Sequence, residues 1–318
     1  MEDKILKILD KHPGEYVSGE KICKSVGVSR ASIWKHIETM RHLGYRIEGL
    51  HHLGYKLLSR PDRLIPEEIK CNLNTKFMGC DVHSYESLDS TNDTAYQLAV
   101  SGAPEGTVVV AEQQRKGKGR QKRHWHSPKG GIYLSCVLRP EIEPKEIAKV
   151  TLAAAVAACE ALRDSTGLEA MIKWPNDILV DGKKICGILT EMKAEQDRVN
   201  FLVLGIGINV NSPQTGLLSG ATSVEKEVGG PVRKVDLTQK LLVRLEENII
   251  LFKKGSFTDI IKMWHRLSLT VGEVVKVHCH DEVIEGQAVD LDENGALVIR
   301  LDSGIQRRVL SGDVALAH

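Results

Sequence analysis

The spacing of apolar residues changes twice along this chain, and that change constrains the fold more tightly than any one motif. Up to Leu43 the apolar positions recur at helical intervals. Beyond Pro61 and Pro66 helical and strand-like stretches are interspersed, and from Val271 onward only short strand-like stretches remain. A chain of 318 residues patterned in this way is expected to form three domains, at 1–60, 61–270 and 271–318. Charge divides at the same places. The net total of +1 resolves into +4, +2 and −5 over the three stretches, which suggests parts with different partners. With 42% hydrophobic and 27% charged residues, the chain is not disordered throughout. It has no apolar run of about 18 residues, so no membrane partner is expected. The first sixteen residues are too charged for a signal peptide and lack a small-residue cleavage site, which makes the cytoplasm the expected compartment.

Seven scattered cysteines, an odd number with no C-x-x-C spacing, fit reduced thiols, most of them small core residues. His278-Cys279-His280 is the one metal lookalike. On a strand its two histidines would share a face with no evident third ligand, so no metal site is assigned to a side-chain cluster.

In the first sixty residues, Ile5, Ile8 and Leu9 mark a helix that stops before Pro13-Gly14. Ser18 stands at the N-cap of a short second helix, with Ile22 and Val26 on one face and Gly27 at its end. Ser29 caps a third helix over 30–43, whose buried face is Ile33, Ile37 and Met40. Two helices joined by a three-residue turn containing glycine make a helix-turn-helix, about Gly19 to Glu38. The outward residues of the second helix, Arg30, Ser32, Lys35, His36 and Thr39, together with Ser29, are of the type that meets phosphates and base edges. Segments 45–48 and 54–58 read as a hairpin, the wing of a winged helix, with His51 and His52 at its tip. A domain used only for protein contacts, or one that no longer binds DNA, has the same pattern.

Between 61 and 270 the stretches 82–85, 107–112, 133–138, 171–173, 178–180, 185–193 and 200–210 read as strands, and 67–76, 90–101 and 145–166 as helices. The order lacks regular βαβ alternation, so a mixed sheet flanked by helices is expected. Four segments stand out chemically. Residues 113–125 carry six lysines and arginines and no acid within eleven positions, with Gly117 and Gly119 allowing a ligand close to the backbone. This is a cradle for a polyanion or a solvated basic loop; it is no Walker A motif. Lys173-Trp174-Pro175-Asn176-Asp177 sets a lysine beside bulky apolar groups, with Asp177 as its nearest partner. Lys184 opens a strand, 184–189, that needs no charge. Gly205-Ile206-Gly207-Ile208-Asn209 is a strand with alternate glycines, which weaken it unless something lies against that backbone.

In this order, Leu88-Asp89-Ser90-Thr91-Asn92, Gly117-Lys118-Gly119-Arg120 and the segments 173–177, 184–189 and 205–209 resemble the bifunctional biotin–protein ligases, also called biotin operon repressors. The resemblance covers essentially the whole chain, the winged helix included. Lipoate ligases share the catalytic fold but lack the winged helix and the Lys-Trp-Pro-Asn-Asp string. The resemblance implies an α+β multidomain chain: a winged helix-turn-helix, a class II synthetase-like ligase domain built on a mixed sheet, and a C-terminal SH3-like barrel. It implies formation of biotinyl-5′-AMP from biotin and ATP, with Mg2+ arriving on the ATP, then transfer to a lysine of a biotin carboxyl carrier domain. Biotin is also the corepressor precursor, operator DNA a partner, and the ligand-loaded form a homodimer.

By motif position, Lys184 and Arg120 would be catalytic, with Lys184 touching the biotin carboxylate and the α-phosphate. Ser90, Thr91 and Gln114 would pair with the ureido ring, and Asn92 opens the adjoining helix. The backbone of Lys118 and Gly119 would close over biotin and the adenylate. Gly187 and the 205–209 strand would let the ligand lie flat, with Asn209 toward the nucleotide. Trp125 would wall the pocket or anchor the loop. The basic loop, 115–126, is expected to move when empty because its cations repel, and 212–230 to form a second loop near adenine. The family's loop commonly reads Gly-Arg-Gly-Arg-x-Gly-Arg; here Lys118 replaces the first arginine and Lys122 the third glycine. Dimerisation is expected along the strand edge 189–199. The acidic tail reads as strands at 274–277, 284–290, 296–300 and 306–310, with a turn at 292–295, and its charge argues against nucleic acid contact. Two other readings share most of these features: a ligase whose winged helix no longer binds DNA, and a biotin-sensing regulator without ligase activity.

Overall fold

The computed structural model describes residues 1–213, 217–279 and 282–316. Its contacts divide the chain between Arg63 and Leu64 into two compact units. In the first, helices α1 (Glu2–Asp10), α2 (Gly19–Val26) and α3 (Arg30–His42) precede a hairpin of β1 (Arg46–Leu50) and β2 (Gly54–Ser59). The local chemistry expected at the helix starts is present. Ser18 Oγ accepts from the Lys21 N–H and Ser29 Oγ from the Ser32 N–H, each at 3.2 Å. Gly27 ends α2 in the left-handed region at φ +77°. Ile33, Ile37 and Met40 of α3 are buried, as are Ile5 and Leu9 of α1 and Ile22 of α2, the two helices that α3 contacts. Gly54 cannot be another residue: a Cβ there would lie 2.0 Å from the Val17 carbonyl oxygen, to which the hairpin is bridged.

The second unit is built on a seven-stranded mixed sheet in the order β3-β4-β5-β9-β8-β7-β6. These strands are β3 (Val82–Tyr85), β4 (Val108–Ala111), β5 (Ile132–Leu138), β6 (Met171–Lys173), β7 (Asp177–Val180), β8 (Lys183–Glu195) and β9 (Arg198–Ile208). Only β3 and β4 run parallel. Alternation decides what each face meets. Val108, Val110, Leu134 and Cys136 join one buried cluster, which receives α6 (Ile147–Thr166), α8 (Lys234–Lys253) and α9 (Phe257–Leu267). Val109, Ala111, Val137, Phe201 and Val203 face the other way, against Ala95 and Ala99 of α5 (Thr91–Val100). Both faces are covered, so all seven residues of β5 are buried.

Helix α4 is shorter than expected, Pro66–Lys70, and α7 (Val224–Val228) follows the sheet. The sequence reading assigns no element to α7, α8 or α9. Glu246 of α8 is 6% exposed and accepts backbone N–H bonds from Lys76, Phe77 and Met78 at 2.6, 2.8 and 2.9 Å, which ties the helix to the segment before β3.

Five antiparallel strands close the chain: β10 (Val274–His278), β11 (Val283–Leu291), β12 (Leu297–Arg300), β13 (Gln306–Val309) and β14 (Asp313–Leu316), in the order β13-β12-β11-β10-β14. At the expected turn, Asp292 Oδ1 accepts from the Asn294 and Ala296 N–H groups, and Gly295 has φ +81°. By their contacts these strands fall in the second unit. Their apolar residues, Val275 to Val314, belong to the same buried cluster as α6 and α8. The indole Nε1 of Trp174 donates to the Gly295 carbonyl at 3.3 Å.

Three of the seven cysteines, Cys136, Cys159 and Cys186, are buried; Cys23, Cys71 and Cys279 are half-buried and Cys80 is exposed, so fewer are core residues than expected. His280, from the metal lookalike, and residues 214–216, from the expected second loop, lie outside the described residues. Among the described residues no helix is long and apolar enough to cross a membrane.

Candidate active site

Beyond Val203 the α5-facing positions of β9 become Gly205 and Gly207, and the sheet is left bare next to the start of α5. A cavity of about 290 Å³ opens there. All ten residues expected to hold ligand line it: Ser90, Thr91, Asn92, Gln114, Lys118, Gly119, Arg120, Lys184, Gly187 and Asn209.

The glycines have a different immediate task from the one expected. A Cβ on Gly205 would lie 2.1 Å from Asn92 Oδ1, one on Gly207 2.5 Å from Trp125 Nε1, and one on Gly187 2.8 Å from Trp125 Cζ3. Asn92 and the Trp125 indole lie on the bare backbone, and the cavity opens beside them. Trp125 thus both walls the cavity and anchors its loop. Its Nε1 is buried without a hydrogen-bond partner.

Part of the lining is a rail of neutral polar groups. Ser90 Oγ caps α5 by accepting from the Asp93 N–H at 3.4 Å. The Thr91 N–H and hydroxyl donate to Gln114 Oε1 at 2.8 and 3.0 Å, and Gln114 Nε2 donates to Ser127 Oγ at 2.9 Å. Ser135 Oγ lies 2.6 Å from Asn92 Oδ1 and 2.8 Å from Thr91 Oγ1; its single proton serves one of them at a time. Asn92 Nδ2 donates to Glu191 at 2.7 Å. Asn209 Nδ2 donates to the Thr222 carbonyl at 3.0 Å.

The lining also carries cations. Lys184 Nζ pairs with Asp177 at 2.7 Å and stands 5.2 Å from the centre of the Trp125 ring. Asp177 therefore serves Lys184, which reaches it from the adjacent strand, and not its sequence neighbour Lys173. Arg120 Nη1 donates to Asn176 Oδ1 at 2.9 Å and to the Gly312 carbonyl at 3.2 Å, and stands 3.9 Å from Asp313. Burial lowers the Arg120 pKa, with Asp313 and Asp177 opposing it; the guanidinium stays charged.

Cations of the basic loop pair with carboxylates outside it. Arg115 and Lys116 meet Asp89 at 2.7 and 3.1 Å and hold its carboxyl below the usual carboxylate range. Lys118 pairs with Asp93 and lies 3.5 Å from Glu191; burial works against the ammonium, but the two carboxylates outweigh it and raise its pKa. Arg123 pairs with Asp313. Gln121 and Lys122 turn the loop in the left-handed region, at φ +53° and +61°. Sequence reasoning missed Ser127, Ser135, Glu191 and Asp313. Asn176 stood in a quoted motif, but no role was assigned to it.

On the first unit, Ser29, Arg30 and Lys35 are exposed and Ser32 is half-exposed. His36 differs from its expected outward position. It is half-buried, with Nδ1 2.8 Å from Glu2 Oε1 of α1.

Three family models match the chain in sequence order: an HTH domain at residues 2–56, the Biotin/lipoate A/B protein ligase family at 84–209, and the Biotin protein ligase C terminal domain at 270–316. The bifunctional ligase/repressor BirA of Bacillus subtilis is 37% identical over 317 residues, covering 98% of this chain and 97% of its own. The chain belongs to the bifunctional biotin–protein ligase/repressor family. BirA of Escherichia coli is 29% identical over 95% of this chain and 94% of its own. Among solved structures, the biotin protein ligase of Aquifex aeolicus in complex with biotin and ATP has a TM-score of 0.64 and 32% identity, over 75% of this chain and 99% of that one. Membership of this biotin–protein ligase family accounts for both units: a helix-turn-helix ahead of a ligase body that ends in the family's C-terminal domain.

Proposed function

We propose that the chain activates biotin with MgATP as biotinyl-5′-AMP and passes the biotin to a lysine of a carboxylase carrier domain. In the adenylate-loaded state, as a dimer, it occupies operator DNA and represses a biotin operon. The observation that carries this reading is one cavity lined both by neutral hydrogen-bonding groups and by cations. Ser90, Thr91, Asn92 and Gln114 offer donors and acceptors that suit a ureido ring, and a buried polar site of this kind rejects ligands that leave its groups unpaired. Lys184, Arg120 and Arg123 line the same cavity, and fixed positive charge of this kind would offset the repulsion between a carboxylate and a phosphate. Both half-reactions gain from positioning and fixed positive charge more than from a dedicated base. The free edge of β8 beyond Gly187, where β7 no longer pairs, supports dimerisation through residues 189–199.

The test is ATP-dependent biotin transfer to a carrier domain, followed by a gel shift on the same preparation with and without biotin and ATP. Lys184→Ala is expected to lower pyrophosphate release at least 100-fold, the scale for losing one electrostatic contact in the transition state, while leaving the melting curve in place. Unchanged pyrophosphate release would refute the assignment. Transfer without a shift would identify a ligase whose winged helix has lost DNA.

A further inference from the structure

Along α3 the residues that close the core, Ile33, Ile37 and Met40, are at most 1% exposed, whereas Trp34 is 55% exposed. Trp34 follows Arg30 by one helical turn and adjoins Lys35, so the three share the solvent face. The Arg30 side chain is 78% exposed and only loosely engaged, 3.9 Å from the exposed Glu20, and Lys35 is exposed. Glu38, the next residue along that face, is engaged by Arg41 at 2.6 Å, which leaves the surroundings of Trp34 positive. An indole is the largest apolar group a chain can leave in water, and one set beside the exposed cations Arg30 and Lys35 fits a partner that is anionic and also presents apolar spots. Duplex DNA meets both demands. Its phosphates suit Arg30 and Lys35, and the C5-methyl of thymine is an apolar feature on the major-groove edge.

We propose that Trp34 is a specificity-determining residue for DNA, its indole covering one or two thymine methyl groups while Arg30 and Lys35 hold the flanking phosphates. The proposal rests on residues 1–63 being a DNA-binding unit and adds what that unit reads.

Duplexes would be selected from a random pool by the full-length wild-type chain with biotin and ATP present. In the best duplex each thymine would then be replaced in turn by uracil, which removes the methyl and nothing else. Wild type is expected to lose about fourfold in affinity at one or two positions, the burial of one methyl group. Trp34→Ala should bind the parent duplex about tenfold more weakly and show no further loss at those positions, and Trp34→Phe should restore part of the methyl sensitivity. Arg30→Ala should bind every duplex more weakly yet keep the uracil penalty. The proposal is overturned if Trp34→Ala keeps the full uracil penalty or binds like wild type. A Trp34→Ala chain that binds DNA normally but changes its sedimentation would give this face to a second copy instead. If wild type enriches no duplex at all, the DNA-binding reading itself falls and the proposal with it.

Discussion

Lys122 takes the basic loop through a left-handed turn, directly after Gln121 in the same region. A side chain there costs roughly 1–2 kcal/mol, which glycine avoids. Lys122→Gly is therefore expected to tighten the loop, read as slower chymotryptic cleavage at Trp125, whereas Lys122→Val should speed it. The departure from the family pattern was visible in the sequence, and the dihedral angle explains why glycine is common at that position. Ser90, Thr91, Asn92 and Gln114 came from the family resemblance, and all four line the cavity. Asp313 was not. It lies 190 residues from Arg123, its partner, and nothing local distinguishes it from the other acids of an acidic tail. Asp177 was noticed but paired with the wrong lysine, since a partner across β7 and β8 is invisible without the register.

At the level of elements, β9 shows how one strand serves two purposes on one face. Its α5-facing positions pack apolar groups as far as Val203 and then open the cavity at Gly205 and Gly207. Gly205→Ala would drive a methyl into Asn92 Oδ1 and break the rail through Ser135 and Thr91. The expected result is a KM for biotin raised tenfold or more, with stability reduced by about 1–3 kcal/mol, typical of overpacking. A rise in KM for ATP alone would contradict this geometry. The alternating glycines carried a readable signal, and the strands of the sheet fall close to where apolar alternation puts them. Helices α8 and α9 were both left unassigned, for different reasons. In α8 buried polar groups such as Lys234 and Glu246 blur the apolar stripe, whereas in α9 Phe257, Ile260, Trp264 and Leu267 recur at helical spacing and the signal was there to be read.

Over the whole molecule, the described contacts separate residues 1–63 from the rest but run without a break from Leu64 into the C-terminal strands. A chain of residues 64–318 contains the entire cavity. It is expected to melt in one transition and to keep biotin transfer within a few-fold of the full chain. A chain ending at residue 270 would lose the partner of Trp174 Nε1, part of the common core and Asp313. It should show neither a sharp melt nor adenylate formation. Composition alone could not foresee this, because charge and periodicity mark where strands replace helices and are blind to whether two stretches share a core.

Each cation at the cavity already faces a carboxylate: Lys184 with Asp177, Lys118 with Asp93, Arg123 with Asp313. An arriving phosphate therefore exchanges one anion for another within the protein and releases few salt ions. Lys35 of α3 stands open to solvent and Arg30 is held only loosely, 3.9 Å from the exposed Glu20, and binding a polyanion there expels its counterions. The two activities should part company in salt. Between about 50 and 200 mM, DNA affinity is expected to fall steeply while nucleotide affinity changes little. Titrations of one preparation with each ligand would measure the two slopes side by side, and ionic strength would then act as a dial that silences repression while ligation continues.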